Sequence, residues 1–83
     1  MTQRLFKARE DHEYEVEAWF ERDRKHLALT HPSRKKPIVE LWDDEVDQAV
    51  DNGFLALPLH ARPTTEMWRA PLLGYARSYQ LIR

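Results

Sequence analysis

A regular alternation of apolar and acidic residues near the start of the chain constrains its fold more than any other feature. Between residues 13 and 21, Tyr14, Val16, Ala18 and Phe20 alternate with glutamates. Successive side chains of a β-strand point to opposite faces, so this period of two predicts a half-buried strand with its glutamates in solvent. A helical interpretation leaves Tyr14 and Ala18 poorly explained, and we therefore predict that this segment is extended.

Two further strands are predicted directly after the first. Residues 25–30 place Leu27 and Leu29 on one face, and residues 38–42 are apolar on both faces. The intervening segment 31–37 holds two prolines and predicts a loop, because proline cannot donate a hydrogen bond to a β-ladder. Short connections between consecutive strands favour an antiparallel meander.

The second half of the chain predicts two helices. Asp43 is a good N-cap for a short helix with one apolar stripe, and Gly53 can end that helix by adopting the left-handed conformation. Residues 54–59 are apolar throughout and predict a buried extended segment. A second helix is predicted over residues 71–80, with a proline at its first position, and a kinked helix from residue 65 is the alternative.

The sequence therefore predicts a single α+β domain over residues 1–83, in which a three-stranded antiparallel β-meander carries a short helix and a C-terminal helix packed on the sheet. A chain of this length buries only ~60–65% of the surface that its unfolded form exposes, and it has no cysteine for a disulfide. We predict a thin core, which a homodimer would reinforce. The predicted core residues are Tyr14, Val16, Phe20, Leu27, Leu29, Val39, Leu41, Val46, Val50, Phe54, Leu57, Leu72, Tyr75, Ala76 and Tyr79.

The charges of the chain are separated into blocks, although the formal net charge is only -1. Residues 10–21, the first acidic block, hold six carboxylates and no cation. Residues 22–37, the basic block, hold six cations and one aspartate, and residues 38–53, the second acidic block, hold six further unopposed carboxylates. Such blocks indicate either a polar contact surface or the solvated face of a small domain.

No motif of catalysis or of ligand binding is present. The sequence lacks a P-loop, a G-x-G-x-x-G pattern, a nucleophile elbow and an H-E-x-x-H motif. Its carboxylates occupy predicted capping or exposed strand positions, and its histidines are not spaced as metal ligands; these are His12, His26, His31 and His60. We expect a protein that is not an enzyme and that requires no cofactor or metal.

The leading hypothesis is a small regulatory protein that binds another protein through its charge-segregated surface. Tryptophan and arginine dominate the binding energy of many interfaces, and acidic neighbours would suit a basic partner. The residues predicted to contact such a partner are Trp19, Glu15, Glu17, Glu21, Trp68 and Arg69. The alternative for Trp19 is that the C-terminal helix covers it as part of the core.

A nucleic-acid-binding module is the second hypothesis. It would use a basic hairpin made of Arg22, Arg24, Lys25, Arg34, Lys35 and Lys36. Acidic blocks on both sides of this hairpin would repel a long polyanion, so we rank this hypothesis below protein binding. No apolar run approaches the ~20 residues of a membrane-spanning helix, and the expected location is the cytoplasm.

Overall fold

The computed structural model describes residues 11–60 and 62–82, and it contains the predicted α+β architecture. Glu10, the first acid of the first acidic block, lies outside the described residues. The regular elements are β1 (Glu15–Glu21), β2 (Arg24–Thr30), β3 (Val39–Trp42), α1 (Asp44–Asp51) and α2 (Arg69–Ser78), with 3-10 turns at Asp11–Glu13 and Thr65–Trp68. The strands form one sheet in the order β1-β2-β3, and both pairs are antiparallel, so the predicted meander is confirmed.

The strand register divides the sheet into two faces. Leu27 of β2 lies between Ala18 of β1 and Leu41 of β3, and Leu29 continues the same face one step along β2. The helices and the turn at Thr65–Trp68 supply the other side of the core that covers this face. We call it the inner face; its members are Val16, Ala18, Phe20, Lys25, Leu27, Leu29, Val39 and Leu41.

The link from β3 to α1 is made by Asp43, but not in the way that the sequence predicts. Asp43 occupies the N-cap position with a φ of 46°, and its side chain caps no helical N–H. Its carboxylate instead accepts the backbone N–H of Lys25 at 2.8 Å, while its own N–H donates to the Lys25 carbonyl at 2.8 Å. These two hydrogen bonds to the Lys25 backbone therefore hold the start of the helix against β2.

The end of α1 follows the prediction, because Gly53 has a φ of 79°. Its N–H donates to the Val50 carbonyl, and the next two N–H groups donate to the Ala49 carbonyl. A Cβ at position 53 would meet no atom within 4 Å, so only the backbone conformation disfavours another residue there. The reversal turns Leu55, which is 1% exposed, into the core.

We expect Gly53→Ala to lower the free energy of unfolding by about 1 kcal/mol, because alanine must adopt a positive φ. The matched control is Gly74→Ala in α2, where a Cβ also meets nothing within 4 Å but the backbone is helical. There alanine is expected to raise the free energy of unfolding by about 0.5–1 kcal/mol. Urea unfolding of both variants checks the prediction, and two shifts of the same sign would contradict it.

The predicted buried segment at residues 54–59 is wrong in most positions. It forms no strand, and only Leu55 is buried. Phe54 is 44% exposed, Leu57 is 59% exposed and Leu59 is fully exposed. The segment is a surface connection, and a single leucine fixes it to the core.

The C-terminal helix begins earlier than residue 71. The 3-10 turn at Thr65–Trp68 leads directly into α2, so the alternative of helical structure from residue 65 is closer to the structure. Pro71 is tolerated because it is the third residue of α2, where its missing N–H would lack an intrahelical acceptor in any case. Within the described ranges, no helix is both long and apolar enough to cross a bilayer.

Most of the predicted core is present. The predicted residues that are buried are Tyr14, Leu27, Leu29, Val39, Leu41, Val46, Leu72 and Ala76. Those that pack against the core while partly buried are Val16, Val50 and Tyr75, and burial first, then Tyr79, raises the pKa of Tyr75. Those predicted as core but exposed are Phe20, Phe54, Leu57 and Tyr79. Buried residues that were not predicted are Ala28, Ile38, Ala49, Leu55, Trp68, Leu73 and Ile82.

Candidate functional site: an aromatic and acidic sheet face

The second face of the sheet presents large and charged side chains to solvent. We call it the open face; its members are Glu15, Glu17, Trp19, Glu21, Arg24, His26, Ala28, Thr30, Glu40 and Trp42. These residues alternate with those of the inner face, against which the helices pack. The open face is therefore the side of the sheet opposite the one on which the described helices pack.

A row of three ring side chains crosses the open face. Trp19 of β1, His26 of β2 and Trp42 of β3 are direct cross-strand neighbours in the register. The His26 ring stacks on Trp42 with a centroid separation of 3.8 Å and an interplanar angle of 13°. Trp19 is 42% exposed and Trp42 is 39% exposed, so both indoles offer apolar surface to solvent. Of the two alternatives for Trp19, the structure has the exposed one.

A row of carboxylates runs beside the aromatic row. Glu17 and Glu40 flank the small residue Ala28 in the register, and their side chains are 66% and 46% exposed. The His26 side chain, only 13% exposed, lies between them. Its Nε2 is 3.5 Å from Glu40 Oε2, and its Nδ1 is 3.9 Å from Glu17 Oε2. His26 thus connects the aromatic row to the carboxylate row.

The two acidic blocks of the sequence meet on this face. Glu17 comes from the first acidic block and Glu40 from the second, and β2 alone separates them. Glu15 and Glu21 extend the negative charge along β1, whereas Arg24 is the one arginine or lysine among the members of the open face. Because these glutamates lie beside exposed indoles, the face combines negative charge with aromatic surface.

Trp68 does not belong to this surface. It is 4% exposed and stacks on Phe20 with a centroid separation of 5.4 Å, so its prediction as an exposed contact residue is corrected. The cause is tertiary, because the turn that carries Trp68 packs against β1. Its Nε1 is buried and has no hydrogen-bond acceptor among the described residues.

The Arg69 side chain is also engaged in hydrogen bonds within the chain. Its guanidinium donates to both carboxylate oxygens of Glu66, at 2.5 and 3.0 Å, and to the backbone carbonyl of Tyr14. The hydrogen bond from Arg69 lowers the pKa of Glu66 below its usual value. Arg69 therefore links the start of α2 to the backbone just before β1. Its role is structural, and it does not join Trp19 in one contact surface.

The predicted basic hairpin is divided between two ends of the sheet. Arg22 lies in the turn that precedes β2, whereas Arg34, Lys35 and Lys36 lie in the loop that follows it. The seven residues of β2 separate the two groups by roughly 20 Å at ~3.3 Å per residue. A continuous basic patch of the kind predicted is therefore absent from the described structure.

Two of the predicted basic residues are engaged within the chain. The Arg24 guanidinium is 3.4 Å from the Asp43 carboxylate, and Lys25 Nζ donates to Asp47 Oδ1 at 2.5 Å. Lys25 also lies on the inner face, where it connects β2 to α1. These pairs bring acids of the second acidic block onto the basic block and reduce the charge available to a phosphate.

Five residues of the open face were not predicted as site residues: His26, Ala28, Thr30, Glu40 and Trp42. The register of β1 with β2 places His26 opposite Trp19, and the register of β2 with β3 places Trp42 opposite His26 and Glu40 opposite Ala28. The alternation along β2 could have identified the face, because Leu27 and Leu29 point to the core and His26 and Ala28 must therefore point to the other side of the sheet.

The chemistry of the open face suits binding. In residues 11–60 and 62–82 no group of three or more histidine or acidic side chains is arranged to hold a metal ion. The two nitrogens of His26 face different carboxylates on opposite sides of the ring, a geometry that would not direct several ligands at one ion.

Comparison of the chain with protein-family models, curated proteins and solved structures finds no match.

Proposed function

We propose that this protein is a non-catalytic interaction protein whose open face binds an arginine-rich segment of a partner protein. The observation that carries the proposal is the meeting of Trp19, His26 and Trp42 with carboxylates from both acidic blocks on one exposed sheet face. It accounts for the segregated charge of the sequence and for two half-exposed indoles.

The chemistry favours arginine over other partner residues. A guanidinium stacks on an indole face and can also donate two parallel hydrogen bonds to a carboxylate. The open face offers both kinds of group at neighbouring positions, since Trp19 and Glu17 lie two residues apart on the same side of β1. Lysine can approach the same carboxylates, but its ammonium lacks the planar shape that stacks on a ring.

The flat shape of the face favours an extended segment. The pleated surface of three strands has shallow grooves, and its cross-strand rows lie about 7 Å apart, which matches the spacing of side chains on one side of an extended peptide. Negative potential around the face would increase the association rate with a cationic partner and make it sensitive to salt.

The proposal is tested by calorimetric titration with an arginine-rich and a lysine-rich peptide of equal length, together with an acidic peptide. We expect the double variant Glu17→Gln/Glu40→Gln to weaken arginine-peptide binding about tenfold, because each exposed charge contributes about 0.5–1 kcal/mol and 1.4 kcal/mol is tenfold. We expect Trp19→Ala/Trp42→Ala to weaken it by a similar factor and to remove most of the preference for arginine over lysine.

The matched control is Asp44→Asn/Asp51→Asn, which removes two carboxylates from α1 and changes the net charge by the same amount. We expect this control to weaken binding by less than about twofold. An equal loss in the control would show that net charge alone drives binding and would contradict the proposal. Absence of arginine-peptide binding at low salt, or tighter binding of an oligonucleotide, would also contradict it.

A further inference from the structure

A cavity lies on the opposite side of the sheet from the open face, where β1, α1 and the connection after α1 meet. Its volume is about 210 Å³, and its apolar lining consists of Phe20, Val46, Val50, Leu57 and Trp68. This volume is below the ~300 Å³ at which small-molecule pockets begin, and it suits the insertion of a single side chain. Phe20 and Leu57 remain 45% and 59% exposed, so the lining is only partly covered by the fold itself.

The rim of the cavity is acidic. Asp47 and Asp51 of α1 lie on it, and the Asp47 carboxylate is paired with Lys25 Nζ at 2.5 Å. Lys25 also lines the cavity, and among the described residues Asp51 takes part in no ion pair, so one of the two carboxylates at the mouth has no paired cation. An apolar side chain accompanied by a cation would therefore match both the lining and the rim.

The chain itself presents such a pair of residues next to the cavity. Leu59 is fully exposed, and Arg62 is exposed three positions later. The His60 N–H donates to the Pro58 carbonyl at 2.8 Å, and the Arg62 N–H donates to His60 Nδ1 at 3.3 Å. The first bond turns the backbone at Leu59, and the second links the Arg62 backbone to the His60 ring.

We propose that a second copy of this chain inserts its Leu59 into this cavity, with its Arg62 facing Asp51, to form a two-fold symmetric dimer. In such a dimer each copy gives and receives the same contact, so the inserting residue and the receiving cavity must lie on one face of the chain. Leu59 satisfies this condition because it is two residues from Leu57, which lines the cavity. The contact would cover exposed apolar surface that a thin core leaves in solvent and would leave both open faces accessible.

The test is the molar mass of the full chain by sedimentation equilibrium over a wide concentration range. We expect the wild-type protein to reach twice the mass of one chain, and Leu59→Asp to raise the dimer dissociation constant by at least about a hundredfold. Leu59 contacts solvent only, so Leu59→Asp is expected to keep the circular dichroism spectrum of the folded monomer. Met67→Asp, at an exposed apolar residue that does not line the cavity, is the matched control and is expected to remain dimeric.

A charge exchange tests the second half of the contact. We expect Arg62→Asp to weaken the dimer about tenfold, and the double variant Asp51→Arg/Arg62→Asp to return to within about threefold of the wild-type protein. A wild-type chain that stays monomeric throughout the range would overturn the proposal, even if a basic peptide then bound to the cavity. A Leu59→Asp variant that remains dimeric, or a charge exchange that restores nothing, would overturn it as well.

Discussion

Leu72→Ala is expected to lower the free energy of unfolding by about 3–5 kcal/mol, because its side chain is completely buried in the core. Leu72 is 0% exposed and lies in the first half of α2, where it belongs to the cluster formed with Leu27 and Leu29 of the sheet. Removing its three terminal carbons leaves a cavity that a small core cannot refill. A domain of 83 residues has only about 4–12 kcal/mol in total, so much of the variant should be unfolded at moderate temperature.

Urea unfolding followed by circular dichroism measures this loss. The matched control is Met67→Ala, which shortens an apolar side chain that is 40% exposed in the turn before α2. We expect the control to cost about 1 kcal/mol or less. If Leu72→Ala cost no more than Met67→Ala, the packing of α2 on the inner face would be refuted.

Trp68→Ala is expected to cost about 3–5 kcal/mol, because Trp68 is 4% exposed and its ring stacks on Phe20. Trp68→Phe should cost far less, about 1–2 kcal/mol. Phenylalanine keeps an aromatic ring in the same place and removes an indole N–H that has no acceptor among the described residues. The measurement is thermal and urea unfolding of both variants.

The three tryptophans of the chain provide the comparison for this prediction. Trp19→Ala, at an indole that is 42% exposed on the open face, is expected to cost about 1 kcal/mol or less. A small cost at Trp68 together with a large cost at Trp19 would reverse the assignment of core and surface. It would restore Trp68 as a contact residue and remove Trp19 from the proposed interface.

The sheet could be predicted because its determinants are local. The alternation at Val16, Ala18 and Phe20, the loop prolines and the left-handed Gly53 each act over a few residues, and all agree with the structure. The burial of each side chain depends on the whole fold, so the sequence predicts it less accurately. Phe20 continues the inner face and stacks on Trp68, but it lies near the end of β1 and stays 45% exposed.

Half of the candidate site could be predicted, and the other half depended on tertiary register. The acidic residues of β1 and Trp19 follow from the alternation of a single strand. Their association with His26 requires the pairing of β1 with β2, and their association with Glu40 and Trp42 also requires the pairing of β2 with β3, whose register the loop sequence does not specify. Trp68 was misplaced for the same reason, because no local pattern indicates that a 3-10 turn will pack against β1.

The meander also bears on the order in which the chain assembles. Only Arg22 and Asp23 separate β1 from β2, and a loop of eight residues separates β2 from β3. Closing such short loops costs little conformational entropy, whereas α2 must return to the sheet across more than twenty-five residues after β3. The hairpin can thus nucleate early. Until α2 packs on it, its inner face would remain an exposed apolar surface, through which newly synthesised chains could associate.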